Sequence, residues 1–315
     1  PYLMRDLARY FPKPLREQFA EQVSRHRLRR EIVATYLTNS LVNRVGATFV
    51  QDLQERSGAA PADIARAYVI ARDAFDLRPV WRDIEALDHK IDAAVQMDMA
   101  HELEMLVERM TIWFLNNARR PLDIASTIDR YAPGIRELVD NLPEIVAKVD
   151  RIGIENETQR LVDLKVPKAL ARKVASLQVL ATGGDVTQIS RDSSVPVLDT
   201  GRVYFDLGSR LGIDWLRNAA RLVEPASDWE RLAVESIIDD SYGHQSALTN
   251  RVLDVAGGGK LGSKAAEGVI STWIESRNGA VERTLQLLDE LRESETVDLA
   301  MLTVANGQLR GLLAQ

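Results

Sequence analysis

The sequence contains no cysteine and only four histidines among its 315 residues. The first absence excludes disulfides, thiolate catalysis and cysteine-ligated zinc, and it leaves the redox compartment open. No apolar run reaches the ~20 residues of a membrane span. Charged residues at Arg5, Asp6 and Arg9 also argue against a secretory signal. With a net charge of −6, the chain has no overall attraction for nucleic acid or an anionic membrane, and neither is expected as a partner.

Alternating β-branched runs of strand length are also lacking, since the best of them, residues 195–198, is broken by Pro196. What is present is helical periodicity. Pro61 is placed to open a helix, and apolar residues then recur at helical spacing through Phe75. Similar stripes run over residues 99–114, 269–274, 285–291 and 302–312. The sequence therefore predicts an all-α, multi-helix bundle with no significant sheet.

Turn residues mark the expected ends of the helices. The segments 57–61, 119–123 and 132–134 contain proline or glycine and are expected to be turns or helix ends. The longest break is the polar, glycine-containing stretch 182–195. We therefore predict a loop there, as the seam between two helical halves at 1–181 and 196–315. The sequence leaves open whether the halves are separate domains or one continuous bundle.

Two short motifs resemble known sites but lack an essential residue. His101 begins a pattern that resembles a zinc-protease helix, but Met105 stands where the second imidazole is needed. The glycine-rich run 257–264 resembles a phosphate-binding loop, but Leu261 follows Lys260 where serine or threonine is needed, and a helical pattern precedes it. A solvated helix face is the better interpretation of the first motif. A helix end, a flexible turn and a new helix better explain the second.

Asp239, Asp240 and His244 lie within about one helical turn, and a carboxylate and an imidazole four residues apart could share a metal. A third ligand is missing, so we expect a surface ion pair here. On this reading the chain has no catalytic, cofactor-binding or metal-binding residue. The alternative, an enzyme using these three residues with a metal, predicts a deep pocket around them.

The most informative stretch is a helix over residues 29–46, whose apolar pattern is interrupted by Thr38, Asn39, Asn43 and Arg44, here called the polar face. Asn39 and Asn43 are four residues apart and share one side of the helix. They could form a buried hydrogen-bond network that fixes the helix register. They could instead dock against another domain. The preceding basic segment (residues 25–30) contains four arginines and is expected to be a helix end or a salt-bridge surface.

This stretch also resembles the C-terminal region of the large bacterial NAD-specific glutamate dehydrogenases. The matching residues are Leu-Arg-Arg-Glu-Ile-Val-Ala at 28–34, Asn39, Leu-Val-Asn-Arg at 41–44, and Gly46. Further segments resemble the family in the same order, and the similarity covers roughly the whole chain, more loosely beyond residue 250. These segments are 10–12, 15–16, 63–68, 81–88, 94–96, 120–125, 132–134, 203–205 and 211–216.

The resemblance implies a longer, cytoplasmic, homo-oligomeric parent polypeptide that oxidises L-glutamate to 2-oxoglutarate and ammonia with NAD. The family's catalytic chemistry lies N-terminal to this region, so no catalytic or NAD-binding residue can be carried over to any position here. The chain itself would be a structural or regulatory domain. Its partner would be the catalytic domain of the same polypeptide, and Asn39, Asn43, Arg44 and the basic segment are the candidate contacts.

A different class of function stays open from the sequence. The chain could be an autonomous helical module that binds a separate protein, which predicts its own start codon and a large exposed apolar patch. The first residue is Pro1. This favours the interpretation of a fragment.

Overall fold

The computed structural model describes residues 2–257, 259–277, 279–294 and 296–314, except for the side chains of Ser263 and Lys264. All regular secondary structure in these residues is helical, which confirms the all-α prediction. In the described part of the chain, no helix combines the length and apolar character that a membrane crossing requires.

The chain forms two compact units. Unit 1 consists of the chain up to Pro133 together with Glu157–Ala181, and unit 2 of Gly134–Asn156 together with the chain from Thr182 onward. A boundary thus falls at 181/182, next to the predicted seam, while 134–156 groups with unit 2. The division into domains at 1–181 and 196–315 stays a prediction.

Unit 1 contains the N-terminal helices α1 (Met4–Tyr10), α2 (Lys13–Gln18), α3 (Ala20–Ser24), α4 (Arg29–Val45), α5 (Phe49–Ser57), α6 (Pro61–Ala74), α7 (Leu77–Glu85) and α8 (Ala93–Asn117). The next two helices each contribute residues to both units: α9 (Ile124–Ile145) and α10 (Lys148–Asp163). Unit 1 is completed by α11 (Lys168–Ala175) and α12 (Leu177–Leu180).

Unit 2 contains the remaining helices α13 (Gly183–Ser193), α14 (Val197–Arg210), α15 (Ile213–Leu222), α16 (Asp228–Ala256), α17 (Gly262–Ser276), α18 (Ala280–Arg292) and α19 (Leu299–Leu313).

The core of unit 1 is the contact between α6 and α8. Gly58 ends α5 in the left-handed conformation that glycine favours, and Pro61 opens α6, as the sequence predicts. The apolar stripe that follows is buried, and Ile64, Tyr68 and Leu103 are fully inside. Burial of each such side chain stabilises the fold by about 1.5–3 kcal/mol.

A buried ion network ties the first helix of unit 1 to α6 and α7. Asp6 accepts hydrogen bonds from Nη2 of Arg72 at 3.3 Å and Nη2 of Arg78 at 2.8 Å. Asp73 accepts from Nε of the same two arginines at 2.7 and 2.9 Å. Burial alone would raise the pKa of Asp73, but the bonds and charges of Arg72 and Arg78 hold it at about 2. The Asp73 carboxylate is therefore ionised at neutral pH.

Unit 2 is organised around the guanidinium of Arg217 on α15. It donates to Ser241 Oγ at 3.1 Å and to Gln245 Oε1 at 2.6 Å, both on α16, and its Cζ lies 3.8 Å from the centre of the Tyr242 ring. Gln245 in turn donates to the carbonyl of Tyr204 on α14 at 2.8 Å. The network therefore joins three helices that pack on one another.

Two predicted breaks are wrong. Residues 182–195 contain α13 instead of a loop, because Gly183 and Gly184 occur in the first turn, and Val186 and Ile189 form a buried face behind them. The segment 132–134 lies inside α9.

Packing explains why α9 continues through Pro133 and Gly134. Tyr131, Ala132 and Ile135 are all buried around the proline. A Cβ on Gly134 would lie 2.8 Å from Cγ2 of Thr187, so the glycine serves close packing against α13 and does not end the helix. Proline removes only one backbone donor from the helix, and this loss is offset by the burial around it.

We expect Gly208→Ala to destabilise unit 2 and Gly243→Ala to stabilise it. A Cβ at Gly208 would lie 2.2 Å from Nε2 of the fully buried Gln245 and would disturb its bonds to Arg217 and Tyr204, which should cost about 1–3 kcal/mol. At the exposed Gly243, inside α16, the added methyl meets nothing within 4 Å and should contribute about 0.5–1 kcal/mol. Urea unfolding of the two variants measures both effects, and equal stabilities would contradict the packing argument.

Candidate docking surface

The polar face of α4 is at the surface and not in a core. Thr38, Asn39 and Asn43 are exposed, and neither asparagine amide has a hydrogen-bond partner among the described residues. The buried-network interpretation is therefore wrong. The sequence could not decide this point, because helical spacing shows which residues share a side of a helix but not whether that side is covered.

Arg44 is held in place from within unit 1. Its guanidinium lies 5.4 Å from the centre of the Trp81 ring and forms an ion pair with Glu85, which is on α7 with Trp81. The Arg44 side chain keeps 28% of its surface exposed. Stacking on an aromatic face fixes the guanidinium while leaving donors for another group.

Ser40 is the polar residue of α4 that faces inward, and sequence reasoning did not select it. Its hydroxyl lies 2.9 Å from the hydroxyl of Tyr68 on α6. Burial raises the pKa of Tyr68, so the phenol stays neutral and can share this bond. The small inward hydroxyl anchors the helix that carries the outward amides.

The basic segment leads directly into α4. Arg25 pairs with Glu21 at 3.0 Å, whereas Arg27, Arg29 and Arg30 are exposed and make no ion pair within the described residues. Arg29 and Arg30 lie in the first turn of α4, where the helix dipole disfavours positive charge. A negatively charged partner would stabilise this arrangement.

Along α4, the basic segment and the polar face are well separated. Asn43 follows Arg30 by 13 positions along the helix, which at 1.5 Å per residue is about 20 Å. Thr35 and Val42 on the intervening turns are also exposed. A partner that touched both would cover most of one side of the helix.

The other candidate sites are dispersed. Asp240 accepts from Asn306 at 2.9 Å and Arg310 at 2.8 Å, so the expected surface ion pair forms with Arg310 and not with His244. His101 lies on an exposed face beside Glu104 at 3.5 Å. Within the described residues, no three acidic or histidine side chains are grouped so that they could hold a metal ion.

The glycine-rich run joins two helices, as expected. Gly257 ends α16 in the left-handed conformation, and α17 begins at Gly262. The backbone N–H of Leu261 donates to Asp199 Oδ2 at 3.0 Å. Gly258 and the side chains of Ser263 and Lys264 lie outside the described residues.

A carboxyl pair in unit 2 was not found from the sequence. Burial, together with the charge of Asp214, raises the pKa of Asp150 to about 7, although Arg217 partly opposes the rise. Burial also raises the pKa of Asp214. The two residues are 64 positions apart, on α10 and α15, and no spacing rule connects them.

Comparison with known proteins identifies the family. The sequence matches the family described as glutamate dehydrogenase, C-terminal, over residues 1–311. The chain belongs to this family. Its polar face, its basic segment, unit 1 and all but the last four residues of unit 2 lie within the matched residues.

Three relatives of this chain are named NAD-specific glutamate dehydrogenase. The one from Pseudomonas aeruginosa is 37% identical over 99% of this chain and 19% of its own length. The relative from Halomonas elongata is 34% identical over 98% of the chain and 19% of its own length. The relative from Mycobacterium tuberculosis is 32% identical over 96% of the chain and 18% of its own length. The chain thus spans about a fifth of the length of these relatives.

The raised pKa of Asp150 gives unit 2 a defined pH dependence. A carboxyl whose folded pKa exceeds its unfolded value of 3.8 favours the folded state below that value, and this contribution is lost as pH rises through about 7. We expect Asp150→Asn to raise the stability of unit 2 at pH 8 by at least about 1 kcal/mol, and to change it little at pH 4. Hydrogen exchange of α10 and α15 peptides at the two pH values is the measurement.

The exposed Glu155 on the same helix supplies the control for this experiment. Glu155→Gln removes one acidic side chain from α10 but leaves the half-buried Asp150 in place. If it raised protection at pH 8 as much as Asp150→Asn, the effect would come from net charge and not from the half-buried pair Asp150 and Asp214.

Proposed function

We propose that this chain is the C-terminal helical domain of a longer NAD-dependent glutamate dehydrogenase that converts L-glutamate, NAD and water to 2-oxoglutarate, ammonia and NADH. One observation carries the proposal: relatives named for that activity match 96–99% of this chain with only 18–19% of their own length. NAD and the catalytic residues would then belong to the remainder of the polypeptide, and the chain itself would be non-catalytic.

The domain's own role is to dock on the catalytic domain and to support or regulate it. Enzymes that transfer hydride commonly close their domains over the substrate, and a packed appendage can change how readily they close. The parent would work as a homo-oligomer, in which the domain could also support assembly. Exposure of the polar face and of unpaired arginines in the basic segment supports this role.

Physical chemistry favours the polar face as the contact. The side-chain amides of Asn39 and Asn43 have no partner within the described residues, so together they offer four N–H donors and two carbonyl oxygens to another domain. Their use in docking would break no hydrogen bond of this domain. Arg44 adds a guanidinium already held by Trp81, so little side-chain freedom is lost on binding. An interface within one chain is commonly polar in this way.

We expect Asn39→Ala/Asn43→Ala in the full-length enzyme to weaken docking without changing the stability of the domain. Each lost amide hydrogen bond is worth about 0.5–1.5 kcal/mol, so the loss of two should shift the docking equilibrium by roughly 5- to 160-fold. The measurements are kcat and KM for glutamate and the oligomer mass in solution, with Asn116→Ala, another exposed asparagine of unit 1, as the matched control.

Unchanged kinetics and unchanged assembly in the double variant would contradict the docking surface, provided that its melting temperature equals that of the wild type. An Arg44→Ala variant keeps the proposal testable through a second residue. Because that variant also removes the pair with Glu85, its melting temperature must be measured beside its activity.

The intact mass of the native polypeptide tests the parent activity. We expect a mass far above the 35.2 kDa of this chain, together with NADH formation that requires glutamate. A native mass near 35.2 kDa would contradict the longer polypeptide. Activity of the isolated 315-residue chain would contradict the assignment of a non-catalytic domain.

A further inference from the structure

Unit 1 contains a cleft of about 400 Å³ whose wall is dominated by arginine. The charged residues of the wall are Arg9, Arg44, Arg72, Arg78, Arg82 and Asp76. Arginine stays protonated at any physiological pH, so the cleft presents fixed positive charge. Small-molecule sites commonly have volumes of about 300–1,000 Å³, and this cleft falls within that range.

The carboxylates that pair with these arginines are not part of the wall. Asp6 and Asp73 bind Arg72 and Arg78, and Asp6 is almost fully buried. Asp83 and Glu85 pair with Arg82 and Arg44 and lie outside the lining of the cleft. The space inside therefore meets mainly hydrogen-bond donors.

Arg72 supplies the second observation that points to a ligand. Its side chain is only 1% exposed, and its Nη1 has no hydrogen-bond partner, although Nε and Nη2 are both bonded to carboxylates. A buried charged donor left without an acceptor is costly, and such groups are rare in folded proteins. Because Arg72 also lines the cleft, an anion bound there would offset its positive charge.

The N-terminal end of helix α7 also contributes to the positive potential in the cleft. Asp76, Arg78 and Pro79 all line the cleft, and they lie at the N-terminal end of the nine-residue helix α7. That helix has no side-chain N-cap hydrogen bond and no acidic residue in its first turn, so its first backbone N–H groups have no side-chain acceptor, although the N-cap residue Asp76 is itself acidic. Asp76 holds a left-handed backbone conformation, with φ of 49°, directly before the helix.

The guanidiniums approach the cleft from several helices, and this arrangement favours one type of anion over another. Arg9 is on α1, Arg44 on α4 and Arg72 on α6, while Arg78 and Arg82 are on α7. A carboxylate takes its two best donors in one plane, whereas a tetrahedral phosphate accepts donors from several sides at once. Tyr36 and Pro79 add apolar surface to the wall, and the volume exceeds what one phosphate group fills.

We propose that this arginine cleft binds a phosphate-bearing anion, a phosphate ester or a diphosphate. The site is separate from the exposed amides of the polar face, although Arg44 borders both. It requires no residue from outside unit 1.

Titration calorimetry of the 315-residue chain tests the site, with inorganic pyrophosphate, ADP and succinate as probes at constant ionic strength. We expect pyrophosphate and ADP to bind with submillimolar Kd and succinate at least about tenfold more weakly. Arg9→Gln/Arg82→Gln should weaken pyrophosphate binding by about tenfold or more. These two arginines are chosen because their side chains are 46% and 73% exposed. Since Arg9 also lies 3.8 Å from the buried Asp6, the melting temperature of the variant is measured beside its affinity, and a loss of binding counts only at an unchanged melting temperature.

Arg119→Gln, an exposed arginine of unit 1 outside the cleft, is the matched control and should retain the wild-type Kd within about twofold. Tighter binding of ADP than of pyrophosphate would identify a nucleotide-like ester as the source of the phosphate, and equal binding would identify the phosphate groups alone. Either result supports the site.

Three outcomes would overturn the proposal: no binding of either phosphate probe, an equal loss in the control variant, or tighter binding of succinate than of both phosphates. None of them bears on the dehydrogenase activity of a parent polypeptide, so failure of this site and failure of the proposed function are distinguishable.

Discussion

The buried guanidinium of Arg72 is the interaction on which unit 1 depends. Its bonds to Asp6 and Asp73 join α1 to α6, and Arg78 on α7 completes the set through the same two carboxylates. Without this pairing, either carboxylate would be a buried charge with no compensation, which commonly costs 3–5 kcal/mol. The N-terminal helix, otherwise short, is thereby fixed, and with it one wall of the arginine cleft.

Unit 2 uses a buried arginine differently. Arg217 is bonded mainly to neutral groups, namely Ser241 and Gln245, and to the face of Tyr242. The nearby carboxyls have raised pKa values, whereas that of Asp73 in unit 1 is lowered. The same residue type thus gives opposite pH responses: acid weakens the network of unit 1, and alkali weakens that of unit 2.

The fold class could be predicted from the sequence because apolar residues recur at helical spacing and glycine and proline mark most of the ends. Pro61 and Gly58 behave as their local chemistry dictates. Pro133 does not, because tertiary burial around Ile135 overrides a local signal. The exposure of Asn39 could not be predicted for a related reason, since it depends on which helices cover α4.

The cleft shows the limit of sequence reasoning most clearly. Its arginines lie on four helices and span residues 9 to 82. No sequence motif or regular spacing therefore indicates that they line the same cleft. Among these arginines, the helical pattern singles out Arg44 alone, because it interrupts the apolar spacing of α4. A site assembled from distant residues becomes visible when the backbone places their side chains around one space.

The number of guanidiniums in the wall of this cleft favours a binding role over a purely structural one. A domain that needed only stability could replace a buried ion network with apolar side chains of similar volume, often at no loss. Unit 1 instead keeps a buried arginine with one nitrogen unbonded and four further arginines around the same cleft. An anionic ligand accounts for the five guanidiniums that line this one cleft, and packing alone does not. The domain therefore has the chemistry to sense an anion within the same unit that carries its candidate docking surface, with Arg44 shared by the two.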